Sequence, residues 1–257
     1  LALVLHILKT FGGAIIAERY TYVPYIGPLF VIGWFFSEIW RSKKQSMQTV
    51  RYATLATLLV GAGFFTYATQ QRVKVWENSE TLWTDAIEKY PDNVNNVRLS
   101  YGQRGNYYRT EADKPERRAE QNDLRAKAIA DYNKSLEANA KNHEVITNRG
   151  ILYRNLAKQQ ADGNQRMEMM RLAVKDFNRA LKIKPDYQNA YNSRGNVYFD
   201  YTANGLTHYA DSALADYNKS LELESRDANT LANRGAIYVM KQQFGLAVND
   251  LTEAINI

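Results

Sequence analysis

The chain has 257 residues, no cysteine and a formal charge of +6, with a pI near 9.3. The missing thiols exclude disulfides, Cys-based zinc sites and cysteine nucleophiles. The basic balance does not point to nucleic acid: the whole surplus lies in residues 1–75, and residues 76–257 carry 25 basic against 25 acidic side chains, so they have no excess with which to neutralise phosphates. Leu1–Leu8 is apolar from its first residue and reads as the end of a membrane span. Tyr22–Trp40 is apolar except for Ser37 and Glu38 near its end, and Tyr52–Ala68 is apolar and uncharged. At about 1.5 Å per residue, each stretch crosses most of a hydrocarbon layer about 30 Å thick. Between them lies a basic hinge, Arg41-Ser42-Lys43-Lys44 through Arg51. The positive-inside rule puts that hinge in the cytoplasm, and Lys9–Thr21 and everything after Ala68 on the far side. Arg72 and Lys74 run against this assignment. The chain opens inside an apolar run and ends at Ile257, part-way through a helix pair, so both ends read as cut from a longer membrane protein.

Residues 76–93 form a connecting half-repeat, with Ser79, Trp83 and Ala86 on one helical face and Pro91 as the stop. From residue 94 to 257 one unit recurs four times. Arg-Gly-x-x-Tyr begins at Arg104, Arg149, Arg194 and Arg234. Each is answered by an Asp, then an aromatic or leucine, then a small residue three further on, at Asp131, Asp176, Asp216 and Asp250. The second helices carry Ala128/Tyr132/Ser135, Ala173/Phe177/Ala180, Ala213/Tyr217/Ser220 and Ala247/Leu251/Ala254 on spacings of four and three, one face of a helix. Such a unit cannot bury its apolar face alone, so copies stack into a solenoid. Glycine inside a helix costs about 1 kcal/mol relative to alanine, so four retained glycines imply a close backbone approach.

This pattern resembles the tetratricopeptide repeat. The Asp216 to Asp250 interval has the standard 34 residues, whereas the two earlier intervals are 45 and 40. The extra residues, roughly 110–124, 159–167 and 202–207, fall between the two helices of a unit and predict longer helices or loops on one rim. Met167, Met169 and Met170 read as cover for the core of an extended helix. The family usually has leucine before the glycine; here it is always arginine. Arg104/Asp131, Arg149/Asp176, Arg194/Asp216 and Arg234/Asp250 therefore read as structural ion pairs between helices, with an anion-binding arginine row as the alternative.

The order of an interfacial Glu18-Arg19-Tyr20-Thr21-Tyr22-Val23-Pro24, then spans, then Trp76–Trp83 leading into repeats resembles the transmembrane-and-tetratricopeptide protein O-mannosyltransferases and their bacterial relatives, over roughly residues 9–93. The resemblance implies an integral membrane protein of the bacterial inner membrane, or of the endoplasmic reticulum in a eukaryote, with extracytoplasmic repeats. It also implies a polyprenyl-phosphate sugar donor and acidic catalytic residues in a loop preceding this chain. Glu18, Arg19 and Tyr20 are then donor-phosphate candidates, a fixed guanidinium suiting a phosphate at a membrane surface. An interfacial aromatic belt facing membrane lipid is the other reading of the same residues.

The chain itself offers no catalytic constellation and no cofactor site. His6, His143 and His208 are scattered without ligand spacing, and no phosphate-cradling loop or serine elbow occurs. Asparagines do recur. Asn148 and Asn233 stand two residues before a repeat glycine, Asn106 and Asn196 one after it, and Asn192 lies nearby. Asn148, Asn192, Asn196 and Asn233 are the peptide-groove candidates, because an amide both donates to and accepts from a backbone whatever side chains pass. The sequence thus predicts an all-α protein in which transmembrane helices precede a tetratricopeptide-type α-solenoid. Its reading is a polypeptide-binding part of a lipid-linked-sugar-dependent glycosyltransferase, with a non-enzymatic membrane-anchored scaffold for envelope assembly or signalling as the alternative.

Overall fold

The computed structural model describes residues 22–42, 44 and 47–257, with 22–29 as backbone alone. The stretch Leu1–Leu8, the candidates Glu18, Arg19 and Tyr20, and Lys43 of the hinge lie outside the described residues. The regular elements among the described residues are all helices, and the chain divides into two compact units between Asn96 and Val97.

The first unit holds α1 (Tyr22–Arg41), α2 (Gln48–Val75) and α3 (Ser79–Lys89). Arg51 Nε donates to the Ile39 carbonyl at 3.2 Å, tying the start of α2 to the end of α1. Helix α2 is 28 residues long and buries none of them; Leu59, Val60, Phe64 and Phe65 are all exposed. The hydroxyls of Thr54 and Thr57 turn back onto the carbonyls four residues earlier, at 2.7 and 2.9 Å, so both are satisfied without solvent. Among the described residues α2 is the one helix long and apolar enough to cross a membrane. Asn78 and Thr81 form a reciprocal capping box that starts α3. Arg72 Nη1 donates to both carboxylate oxygens of Asp85, at 3.0 and 3.1 Å, so one of the two cations that follow the second apolar stretch is neutralised locally.

The second unit is built from α4 (Val94–Ala112, from Val97 on), α5 (Gln121–Ala138), α6 (His143–Gln159), α7 (Gly163–Ile183), α8 (Gln188–Ala203), α9 (Ala210–Leu223), α10 (Ala228–Met240) and α11 (Phe244–Ile255). Helices α4/α5, α6/α7, α8/α9 and α10/α11 are the four pairs, and each second helix packs on the first helix of the next pair. Caps mark several starts: Asn142 accepts from the Val145 amide, Asp162 from Gln165, and Asp227 from Asn229 and Thr230. The core is where the small and aromatic positions meet. Tyr132, Phe177 and Tyr217 are fully buried, and each ring lies on a glycine of its own pair. A Cβ on Gly105 would come within 2.8 Å of the Tyr132 ring, on Gly150 within 2.7 Å of Phe177, and on Gly195 within 2.8 Å of Tyr217.

The extra residues of the first three pairs lengthen helices and add short 3-10 turns at Pro115–Glu120 and Thr207–Tyr209. Helix α7 reaches 21 residues, and its added turn brings Met167, Met169 and the buried Met170 into one cluster with Val197, Tyr201 and Tyr209. Where the lengthened helices α5 and α6 of neighbouring pairs meet, polar contacts join them: Arg125 bonds Gln159, whose amide donates to Gln121 at 2.7 Å.

Candidate peptide-binding face

Two polar systems repeat along the second unit. The first is an arginine staple. Arg104, Arg149, Arg194 and Arg234 each place Nε and Nη2 on the two carboxylate oxygens of Asp131, Asp176, Asp216 and Asp250, at 2.7–2.9 Å. These are bidentate pairs within a helix pair. The aspartate side chains are 6–8% exposed and the arginines 17–20%. The hydrogen bonds to the aspartate raise the pKa of all four arginines, against burial. Three of the arginines also hold a neighbour: Nη1 of Arg149, Arg194 and Arg234 donates to Asn133, Asn178 and Asn218 of the preceding pair, at 2.6, 2.5 and 2.8 Å. One guanidinium thus closes its own pair and joins it to the previous one. The tyrosine four residues on lies 5.9 Å under the guanidinium of Arg104, Arg149 and Arg234; Arg194 takes Tyr191 instead, at 5.7 Å.

The staple explains two sequence features. The aspartate is followed two residues later by asparagine in three of the four pairs because that asparagine accepts from the next arginine. The glycosylation-like Asn133-Lys134-Ser135 and Asn218-Lys219-Ser220 are by-products of this requirement, for Ser135 and Ser220 are fully buried helix-contact residues.

The second system is the amide cluster. In the first pair, Asn106 Oδ1 accepts from the Tyr132 hydroxyl at 2.8 Å and from Asn148 Nδ2 of the next pair at 2.9 Å. In the third, Asn196 Oδ1 accepts from the Tyr217 hydroxyl and from Asn233 Nδ2 of the fourth, both at 2.8 Å. Asn196 Nδ2 donates to Asn192 Oδ1 at 3.0 Å, and Asn192 Nδ2 reaches Thr230. All four candidates are half-buried. Asn192 and Asn196 have both amide atoms engaged, one in a bond to a neighbouring helix and the other in the bond they share within α8. Asn148 and Asn233 each spend one donor on a neighbouring asparagine, and their carbonyl oxygens accept no hydrogen bond among the described residues. The asparagines therefore divide into packing residues and residues with unused capacity, a distinction invisible in their spacing.

A third contact escaped the sequence reading. Arg154 of the second pair forks onto Asp200 of the third, at 2.5 and 3.1 Å, with Lys158 at 3.7 Å. Its partners lie 46 residues apart and occur once, so no periodic signal advertises them. No group of His, Cys, Asp or Glu among the described residues is arranged to hold a metal ion.

No protein-family model and no curated protein matches the chain. Solved structures do. MamA is similar at 15% identity with a TM-score of 0.50, over 73% of this chain and 91% of that one. TTC0263, a thermophilic TPR protein of Thermus thermophilus, is similar at 16% identity and TM-score 0.50, over 76% and 87%. PilF of Pseudomonas aeruginosa is similar at 15% identity and TM-score 0.51, over 78% and 74%. The repeats have the tetratricopeptide fold. At these identities the likeness extends to the backbone arrangement alone. The arginine staple, which replaces the leucine usual in tetratricopeptide repeats, must be understood from this chain's own residues.

Proposed function

We propose that the tetratricopeptide repeats bind extended polypeptide along the amide face, as the recognition part of a membrane-embedded protein of the lipid-linked-sugar glycosyltransferase type. The single observation that carries the binding reading is the unused carbonyl of Asn148 and of Asn233, two identical half-satisfied amides two pairs apart. A half-buried amide with a spare acceptor and a spare N–H matches the backbone of a passing strand. Each such bond adds about 0.5–1.5 kcal/mol, so affinity grows with the number of repeats engaged and selectivity for side chains stays low. That suits a protein that must hold many acceptors near a membrane. The membrane reading is supported by α2, with its uniformly exposed apolar surface, and by the basic hinge before it. A scaffold without transferase activity would use the same face, and transfer from a polyprenyl-phosphate sugar by the full-length protein separates the two.

The test is binding of a mixed pool of short extended peptides to the chain and to the double variant Asn148→Ala, Asn233→Ala. Affinity is expected to fall about tenfold, while the fold survives because Asn106 and Asn196 keep their tyrosine donors. Unchanged affinity removes the amides from the binding face.

A further inference from the structure

On the outer faces of the second helices, charge is balanced pair by pair. Three and six residues after the staple aspartate, the first pair carries Lys134 and Glu137, and the third carries Lys219 and Glu222. Each lysine bonds its glutamate, at 3.0 and 2.7 Å. Helix α5 adds a further such pair, Lys127 with Asp123 at 2.9 Å. The fourth pair has no cation at these positions, only Glu253 and Asn256. The second pair breaks the rule. Its same two positions are Arg179 and Lys182, and Lys175 stands one residue before Asp176, where the first and third pairs have Ala130 and Ala215.

With Arg171, these residues follow one another at spacings of four, four and three, one stripe about 16 Å long on α7. All four are exposed. Arg171 has an acidic partner, Glu168 at 3.0 Å. Among the described residues no carboxylate lies within 4 Å of Lys175, Arg179 or Lys182. Arg179 donates to the Ala140 carbonyl, a neutral acceptor that leaves its charge uncompensated. Like charges four residues apart, as at Arg171/Lys175 and Lys175/Arg179, oppose a helix instead of supporting it, so nothing in the fold accounts for the stripe. The even balance of the repeat region as a whole hides this local separation.

The surface chemistry selects the partner. Past Glu168, the exposed positions of α7 are these four cations and Asn178, with no exposed aromatic or aliphatic side chain among them. A protein interface is held by a buried apolar or aromatic anchor, and single-stranded nucleic acid by a ring on which bases stack. Long, flexible cations without such anchors suit a surface of many equivalent phosphates. With α2 as a membrane span, such a surface is tethered to the repeats at high effective concentration.

We infer that the α7 stripe of Arg171, Lys175, Arg179 and Lys182 is a docking surface for the anionic phosphate headgroups of a membrane. The inference rests on the reading of α2 as a span and adds to it an electrostatic contact made by the repeats themselves.

The experiment reconstitutes the whole chain in vesicles of phosphatidylcholine alone, or with about one quarter phosphatidylglycerol, and follows lysine acylation by mass spectrometry. Lys134 and Lys219, each bonded to a glutamate, are the internal references. Lys175 and Lys182 are expected to react about threefold more slowly in the anionic vesicles, and this protection should vanish in about 0.5 M salt, while the references keep one rate throughout. Arg171→Gln combined with Arg179→Gln should remove most of the protection and leaves the arginine staple untouched. The salt titration of the unaltered chain keeps the test sharp should that variant fold poorly. Equal rates in the two lipids, or protection that extends to Lys134 and Lys219, overturns the docking surface. Protection by added polyglutamate but not by anionic lipid gives the stripe to an acidic protein and overturns the membrane assignment. Failure of the span reading looks different: a chain that floats only with anionic vesicles overturns the span and leaves the stripe standing, and a chain that floats with neither overturns both.

Discussion

At the residue scale, the organising unit is an arginine whose three nitrogens serve two helix pairs. The planar fork matches a carboxylate with Nε and Nη2 and leaves Nη1 for the neighbouring asparagine, a division that lysine's single ammonium cannot reproduce. Burial pushes the Asp216 carboxyl up while Arg194 pulls it down, so a large desolvation cost is being met by a well-formed pair. The tyrosines titrate more simply. Burial pushes Tyr132 up to about 12, partly opposed by Arg109. Because its folded pKa lies above the unfolded value near 10, the folded state keeps a proton that the unfolded state sheds. Stability from this group is complete below pH 10 and declines between pH 10 and 12, by about 1.4 kcal/mol per pH unit. Urea unfolding followed from pH 9 to 12 should show that decline, and Tyr132→Phe should make it shallower by one group's share while costing about 1 kcal/mol at neutral pH through the lost bond to Asn106. An unchanged slope in the variant would assign the alkaline loss to other groups, such as Tyr201, which burial also raises to about 12.

At the element scale, each pair is closed by a side chain lying on a helical glycine, a ring in the first three. The close approach is what the glycine is kept for, since its helix propensity opposes it. Gly150→Ala should destabilise by about 1–2 kcal/mol, because the added methyl must displace the fully buried Phe177 ring by several tenths of an ångström, and overpacking outweighs the propensity gain. Gly235→Ala should cost less than half of that. There the added Cβ would stand 3.0 Å from Leu251, which is 37% exposed and free to move. Equal losses at the two sites, measured by urea unfolding, would remove the ring contact as the reason for the glycines. The inserted residues act at the same scale. They extend the helices of the first three pairs, whereas the fourth has the short standard turn, with Gln242 at φ 59° taking the left-handed position that glycine takes at Gly205, φ 92°.

At the scale of the whole molecule, the pairs alternate in how they are joined. Where the residue after the glycine is asparagine, at Asn106 and Asn196, the second helix carries a tyrosine and the following pair an asparagine, Asn148 or Asn233. Where it is Ile151 or Ala236, the second helix carries Phe177 or Leu251, with no hydroxyl to satisfy. Polar and apolar joints thus change together, as they must when a buried hydroxyl needs an acceptor. The proposed orientation of the chain in a membrane is open to direct measurement, helped by the absence of cysteine from the sequence. With Lys43→Cys and Asp227→Cys as separate single-cysteine chains in intact cells, an impermeant thiol reagent should label position 227 and spare position 43. The reverse pattern reverses the topology, and labelling of both shows that the hinge is not shielded.

The repeat and its register are legible in the chain. The helical fold and the pairing of Arg with Asp could be read because spacings of three and four fix a helix face, and because four copies report the same contact. The extent of each helix past the standard length was not legible, since polar inserts encode longer helices and loops alike. Tertiary structure alone decided which asparagines are spent. Asn192 and Asn233 are both groove candidates, yet one has both amide atoms bonded and the other keeps its carbonyl unused. It also decided that Arg154 finds Asp200, because that contact crosses between pairs over 46 residues and depends on how neighbouring helices stack. A local pattern records what a residue offers, and only packing records what its neighbours have already taken.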